Sequence, residues 1–365
     1  LHSVHPPFDT RIFHKEAKTL VRAGYEVVLI AQHEKSEVVD GVKVVALPRP
    51  RNRFARIFGL TWQAFRLALR ERADVYHFHD PELLPIGVLL KFFTRAKVIY
   101  DVHEDVPQQI LTKHWIPALL GRPLAEVFNA FEKLLTRVLD AVVVATEGIA
   151  EKFARFGPIV IHNYPNLEML PRPSKGCGGG KGKVLVYVGG ISKLRGAIEM
   201  VRALEYLNPS LEVYLELIGR FEPEELAKEL QALPGYKRVR FLGWLPWEEA
   251  WQQAQRAVAG LVLFHPAPNH TDSLPNKLFE YMAAGLPVVA SNFPLWKEIV
   301  EGNRCGITVD PLDPKAIARA IEYLLTHPEE ARRMGENGRR AVEEKYNWGK
   351  DAEKLVRLYR NLLER

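Results

Sequence analysis

Apolar and polar positions along the chain follow two alternating patterns. Short runs of consecutive aliphatic residues are each followed by longer stretches in which apolar residues return every three or four positions. In the first half the short runs predict strands at Leu1 to Val4, Glu26 to Ala31, Val75 to His79, Lys97 to His103, Ala141 to Ala145 and Ile159 to His162. The stretch Ile12 to Arg22 predicts a helix, with Gly24 in the position of a C-terminal cap. Because the first run opens in mid-strand without a methionine, a few native residues are expected ahead of Leu1. Strands alternating with amphipathic helices predict a parallel sheet covered on both faces.

Between 171 and 183 the sequence PRPSKGCGGGKGK is too rich in Pro, Gly and Lys to pack a core and reads as a linker. The alternation then restarts with strands at Val184 to Val188, Leu211 to Ile218, Val239 to Leu242, Gly260 to Phe264 and Pro287 to Ser291. The intervening helices are Leu194 to Leu207, Pro223 to Leu233, Pro246 to Ala257 and Pro275 to Ala284. The expected fold class is α/β, with two doubly wound domains at 1–170 and 184–346, a linker at 171–183 and a closing segment 347–365. Open α/β sheets bind ligands beyond the carboxyl ends of their strands, so a substrate is expected in a cleft between two such domains.

At 365 residues and 47% apolar composition the chain can bury full cores, which excludes a disordered or fibrous class. No uninterrupted apolar run approaches about eighteen residues and no signal segment opens the chain, so a cytoplasmic location is expected. Cys177 and Cys305 lack metal-ligand spacing and read as unpaired thiols. The formal charge of +6 favours anionic partners. It concentrates where Arg49, Arg51, Arg53, Arg56, Arg66, Arg70 and Arg72 interleave with Phe54, Ile57, Phe58, Trp62 and Phe65. That basic amphipathic stretch suggests peripheral contact with an anionic membrane, the alternative being a solvated helix over the core. No nucleic-acid recognition motif accompanies the charge.

The segment from Asp272 and Ser273 through Lys277 to Glu280 carries the sharpest chemistry. Pro275 suits the first turn of a helix, whose exposed amides favour a phosphate, and Lys277 adds a full charge. Glu280 lies one turn on, where its carboxylate can accept from ribose hydroxyls. On the residues alone, an amphipathic helix with solvated charges is the alternative. A second segment, Val186 to Gly196, leads from a strand through Gly189 and Gly190 to Arg195. Its glycines allow close backbone approach, and Arg195 can grip two diphosphate oxygens. Gly219 and the turn around Leu242 end two further strands.

Asp272 and Glu280, separated by seven residues and followed by Ala284-Gly-Leu-Pro-Val-Val-Ala-Ser291, resemble the donor-binding motif of glycosyltransferase family four. The Ser-Leu-Pro-Asn-Lys insert resembles a subgroup acting on bacterial surface polysaccharides. The resemblance runs from His2 to Tyr346-Asn-Trp348 and the helix Lys350 to Leu363. It implies the GT-B architecture, two Rossmann-like domains facing each other across a cleft, with the last helix crossing back to the first domain. It also implies a retaining transferase that needs no metal or cofactor, a nucleotide-diphosphate sugar as donor and a glycan or lipid-linked acceptor. Gly189, Gly190, Arg195, Gly219, Leu242, Asp272, Ser273, Lys277 and Glu280 would then hold the donor. The family's usual first acid is Glu where this chain has Asp272, and it often has Arg where this chain has Gly190 and Lys where it has Arg195.

In the first half, Asp9 and Arg11 follow the first predicted strand, where relatives carry a Gly-Gly loop. Arg11 is a candidate for diphosphate, with an Asp9–Arg11 ion pair as the competing role. His79, Asp80, His103 and Glu104 end two predicted strands. By resemblance His103 positions the transferred sugar, and His79, Asp80 and Glu104 are acceptor candidates. His103, Arg195 and Lys277 are the expected catalytic set. An epimerase or phosphorylase of the same architecture, or a catalytically silent sugar-nucleotide binder, are the alternatives.

Overall fold

The computed structural model describes residues 1–52, 54–112, 116–170 and 183–364. Arg53, Cys177 and the expected linker, apart from Lys183, lie outside these residues. The chain forms two compact α/β units, Leu1–Asn163 with Trp348–Arg365, and Tyr164–Asn347. Tyr164 and Leu170 already pack in the core of the second unit, with Phe279 and Met282.

In the first unit the strands are β1 (Val27–Gln32), β2 (Glu37–Val39), β3 (Val42–Leu47), β4 (Val75–Phe78), β5 (Lys97–Val102), β6 (Ala141–Val144) and β7 (Ile159–Val160). They form a three-stranded sheet in the order β1-β3-β2 and a four-stranded sheet in the order β4-β5-β6-β7. Every pair is parallel except β2 with β3. That antiparallel hairpin was not foreseen, although Asp40-Gly41 marks it: both residues have positive φ, 49° and 81°, the conformation a tight two-residue hairpin turn requires.

No strand forms at Leu1 to Val4, where one is expected. Leu1 and His2 bridge the two sheets, with the His2 amide donating to the Ile30 carbonyl (3.2 Å) and the His79 amide to Leu1 (3.2 Å). Ser3 and Val4 then turn away because the Asp80 carboxylate accepts from both their amides. The first helix is a π-helical segment, Thr10–Ala17, continuing as an α-helix over Lys18–Arg22. Gly24, at φ 92°, closes it as expected.

The last helix, Trp348–Leu363, packs back onto the first unit. Its buried stripe of Trp348, Leu355, Leu358 and Leu362 meets Leu20, Ile99, Val143 and Ile161, and the Trp348 indole donates to Thr19 Oγ1 at 2.9 Å.

The second unit contains β8 (Lys183–Val188), β9 (Val213–Ile218), β10 (Val239–Gly243), β11 (Ala259–Val262), β12 (Val288–Ser291) and β13 (Gly306–Val309). They make one six-stranded sheet in the order β10-β9-β8-β11-β12-β13, parallel throughout. The five expected strands fall within two residues of β8 to β12; β8, β9, β11 and β12 are largely buried and read as apolar runs, whereas β10 is exposed along its middle and β13 is an additional strand beyond those expected. The helix expected over Leu194 to Leu207 is interrupted. Gly196 adopts φ 76° and the α-helix covers only Ala197–Ala203. A side chain at 196 would sit 2.0 Å from the Leu263 carbonyl oxygen, so this turn is pressed against the end of β11.

Replacing Trp348 by Ala removes a buried ring and a hydrogen bond from the seam between the last helix and the first unit. A loss of about 3–5 kcal/mol is expected in urea unfolding; a loss below about 1 kcal/mol would show that the seam contributes little.

Candidate functional site

In the second unit the strand order reverses direction between β8 and β11, the point where doubly wound sheets open a crevice at their carboxyl ends. Gly189 and Gly190 leave β8 there, and Phe264 leaves β11. The strand ends are drawn together by backbone contact. The Gly189 amide donates to Ile218 (2.8 Å) and the Gly219 amide to Gly243 (2.8 Å). Gly189, Gly219 and Gly243 have φ of 129°, 148° and 71°, values that side chains rarely tolerate. A Cβ on Gly219 would lie 1.9 Å from the Gly189 carbonyl oxygen, so the two loops touch only because Gly219 has no side chain.

The helix Asn276–Ala283 is locked onto this platform. Its Tyr281 hydroxyl accepts from the Val188 amide at 2.8 Å, and the ring occupies the space that a side chain on Gly260 would fill. Pro275 precedes the first turn in extended backbone with no side-chain cap, leaving first-turn amides exposed to a ligand. Ahead of it, Ser273 is fixed at both ends: its hydroxyl donates to the His270 carbonyl (2.8 Å), and its own carbonyl accepts from the buried Trp296 indole (2.6 Å). Asp272 is exposed.

Lys277 therefore reaches back over β8. Its Nζ stands 3.9 Å from the centre of the Tyr187 ring and 5.1 Å from that of Phe264, and 3.0 Å from where a Cβ on Gly189 would be. Burial, and after it the positive charge of Arg195, hold the ammonium well below the usual lysine range. Arg195 approaches from the other side and donates to the Gly190 carbonyl at 3.1 Å, which also accepts from the Tyr187 hydroxyl at 2.6 Å. Its Nη1 lies 2.2 Å from the place a Cβ on Gly190 would take. The absence of a side chain on Gly190 thus makes room for the guanidinium of Arg195.

Two groups at this site were not singled out from the sequence. Glu222 pairs with Arg195 at 3.7 Å, and the Tyr187 ring supports Lys277. Glu222 gave no signal because its loop meets Arg195 only through the contact of the β8 and β9 ends. Tyr187 was legible only as one more strand residue. Glu280 sits half-buried one turn after Lys277. The Leu242 turn ends β10 beside an exposed aromatic group, with Phe221 and Phe241 ring centres 4.6 Å apart and Arg220 over the Trp244 ring at 5.8 Å.

In the first unit the candidates gather around Asp101. Arg11 does not pair with Asp9. Asp9 instead caps the first helix, accepting from the Arg11 and Ile12 amides (2.8 and 3.0 Å). The Arg11 guanidinium is buried and binds both Asp101 oxygens (3.0 and 3.1 Å), the Ile161 carbonyl (2.8 Å) and Glu16 (2.8 Å). Burial alone would raise both carboxyls, but Arg11 and the neighbouring histidines hold Asp101 well below the usual range. Burial and the Asp101 charge push Glu16 well above it.

His79 Nδ1 and His103 Nε2 share a hydrogen bond at 3.0 Å, their rings stacked 5.0 Å apart. His103 also faces Asp101 at 3.3 Å, yet burial pulls its pKa down to about 4, leaving a neutral imidazole. Asp80 receives His5 at 3.4 Å and stays ionised at about 2, because His5 and the Ser3 amide outweigh its burial. Glu104 stands apart on the surface and accepts from Gln109. Glu16, His77, His79 and Asp101 have donor atoms within 4.8 Å of one another, a spacing that suits a metal ion; Arg11 already engages both carboxylates.

The second unit is thus a doubly wound sheet whose switch point presents two cations, Arg195 and Lys277, beside the Gly189-Gly190 turn. Residues 178–341 match the family model described as glycosyl transferases group 1, and residues 10–164 match the one described as glycosyl transferase 4-like domain. The chain belongs to the GT-B-fold glycosyltransferase family.

It is similar to a glycogen synthase of Mycobacterium tuberculosis, 23% identical over 96% of this chain and 90% of that protein. Among solved structures it resembles the sucrose-phosphate synthase from Thermosynechococcus elongatus, with TM-score 0.80 and 20% identity over 100% of this chain and 95% of that one. It also resembles Anabaena Alr3699/HepE in complex with UDP, with TM-score 0.73 and 16% identity over 99% and 98%.

The glycines at this site separate by what a methyl group would strike. Gly219→Ala meets a backbone oxygen and is expected to cost at least about 3 kcal/mol, whereas Gly190→Ala meets the movable end of Arg195 and is expected to cost about 1 kcal/mol or less. Equal losses in chemical denaturation would contradict the backbone-contact account.

Proposed function

We propose that the chain transfers a sugar, with retained anomeric configuration, from a nucleotide-diphosphate sugar to a glycan or lipid-linked acceptor, as a step in building cell-surface polysaccharide. The observation that carries this reading is the pair Arg195 and Lys277 flanking the Gly189-Gly190 turn beside an uncapped helix start. As the glycosidic bond to the donor breaks, negative charge grows on the leaving diphosphate. Two fixed cations and first-turn amides counter that charge more strongly in the transition state than in the ground state, so in this reading the residues themselves, without a metal, assist departure. Lys277, held partly desolvated, regains its proton affinity when the anion arrives. Glu280 takes the ribose hydroxyls, and the turn around Leu242 with its aromatic neighbours takes the base. Asp272 and Ser273 shape the approach to the helix start.

In the first unit, the neutral His103 ring, held between His79 through Nε2 and Asp101 facing Nδ1, positions the sugar by contact, with Asp80 and Glu104 as acceptor contacts. Arg11 is engaged by Asp101, Glu16 and Ile161 and serves to fix that constellation.

A thermal-shift screen of nucleoside diphosphates followed by slow-hydrolysis assays of the matching sugar nucleotides tests the reading. Arg195→Ala is expected to lower transfer or donor hydrolysis about a hundredfold, on the order of 3 kcal/mol. Unchanged turnover in that variant, or stabilisation by no nucleotide, would contradict it.

A further inference from the structure

Tyr187 is fully buried on β8, just ahead of the Gly189-Gly190 turn, and its two ends meet different parts of the site. The face of its ring carries Lys277 Nζ, 3.9 Å from the ring centre. Its hydroxyl donates to the Gly190 carbonyl at 2.6 Å, and the same carbonyl accepts from Arg195 Nη1 at 3.1 Å. A carbonyl oxygen has two lone pairs, so the hydroxyl and the guanidinium fill it between them. Burial pushes the phenol well above the usual tyrosine range, and the hydroxyl therefore keeps the proton that it donates.

The backbone on either side of Gly190 is tied to the end of β9. The Gly189 amide donates to Ile218 and the Ile191 amide to Arg220, both at 2.8 Å. Gly190 has no side chain to pack, so its carbonyl takes its orientation from Tyr187 and Arg195. A competing pull acts on Arg195 from outside. The Glu222 amide donates to the Ile191 carbonyl at 2.8 Å, which brings the Glu222 carboxylate to 3.7 Å from the guanidinium. Without the tyrosine hydroxyl the Gly190 peptide is free to turn, and Arg195 follows it towards Glu222. Lys277 is held separately, by the aromatic face.

We propose that Tyr187 is a positioning residue that sets the spacing of Arg195 and Lys277, the first through the Gly190 carbonyl and the second through its ring, and that this spacing makes the site select a diphosphate over a monophosphate. The inference rests on the sugar-transfer reading above. A diphosphate gains from both cations at once when they already stand at the distance it spans, whereas a monophosphate engages one of them and gains nothing from the placement of the other.

Calorimetric titration with UDP and UMP, and with GDP and GMP, gives the ratio of diphosphate to monophosphate affinity in wild type, Tyr187→Phe and Tyr187→Met. Wild type is expected to favour the diphosphate. Tyr187→Phe keeps the ring beneath Lys277 and loses the hydroxyl alone, so the ratio should fall at least about fivefold, the worth of one hydrogen bond, with monophosphate affinity unchanged. Tyr187→Met also removes the aromatic face and should lower the ratio further. Urea unfolding shows which variants are folded, and either one decides the question by itself. An unchanged ratio, or equal weakening of both ligands, overturns the proposal; so does failure of both variants to fold, which would make Tyr187 a core residue and nothing more. Wild type that binds no diphosphate contradicts the sugar-transfer reading as well, whereas a diphosphate preference kept by the variants contradicts the role of Tyr187 alone.

Discussion

The second unit depends on one contact, the Gly189 carbonyl lying where Gly219 would carry a side chain. That approach lets the ends of β8, β9 and β10 share backbone hydrogen bonds and turns three loops into a single platform. The positions of Lys277 and Arg195 follow from it. Tyr281 ties the helix Asn276–Ala283 to Val188, which sets Lys277 over Tyr187, while the bare Gly190 carbonyl gives Arg195 its seat. Burial, and after it repulsion from Arg195, depress the proton affinity of Lys277, which expresses the cost of holding two cations close in a partly desolvated place. A site that carries such a cost without an internal anion fully satisfying it is prepared for an anion from outside. Glu222 partly offsets the charge on Arg195 at a distance that a ligand phosphate can take over.

The first unit reaches the opposite electrostatic balance. Arg11, Asp101 and Glu16 neutralise one another in the interior, and burial keeps His103 uncharged beside them. The result is a preorganised group of hydrogen-bonding nitrogens with little net charge. Phosphate binding suits the cationic platform, and sugar hydroxyls suit the neutral histidines.

Much of this was legible in the sequence, and the remainder was hidden for identifiable reasons. Parallel strands buried on both faces stand out as apolar runs, and Gly24 and Pro275 sit where helix ends require them. The Asp9–Arg11 alternative failed because residues close in sequence were weighed as partners, whereas Arg11 finds Asp101 ninety positions away. Gly196 falls inside a helical pattern because a single glycine is tolerated there, whereas its left-handed backbone and its closeness to the Leu263 carbonyl are tertiary features. The hairpin at Asp40-Gly41 joins strands of three and six residues, and its turn signal is short beside the longer apolar runs around it.

The account stands on Lys277 and Arg195 forming an anion site, and proton linkage tests that most directly. Calorimetric titration with UDP and GDP at about pH 9, where the ligand phosphates are ionised, in buffers of differing ionisation enthalpy counts the protons taken up on binding. A lysine whose affinity for its proton is depressed in the free protein must recover it beside a diphosphate, so wild type is expected to absorb protons and Lys277→Met to absorb none while binding more weakly. Binding without proton uptake, or the same uptake in Lys277→Met, would contradict the account.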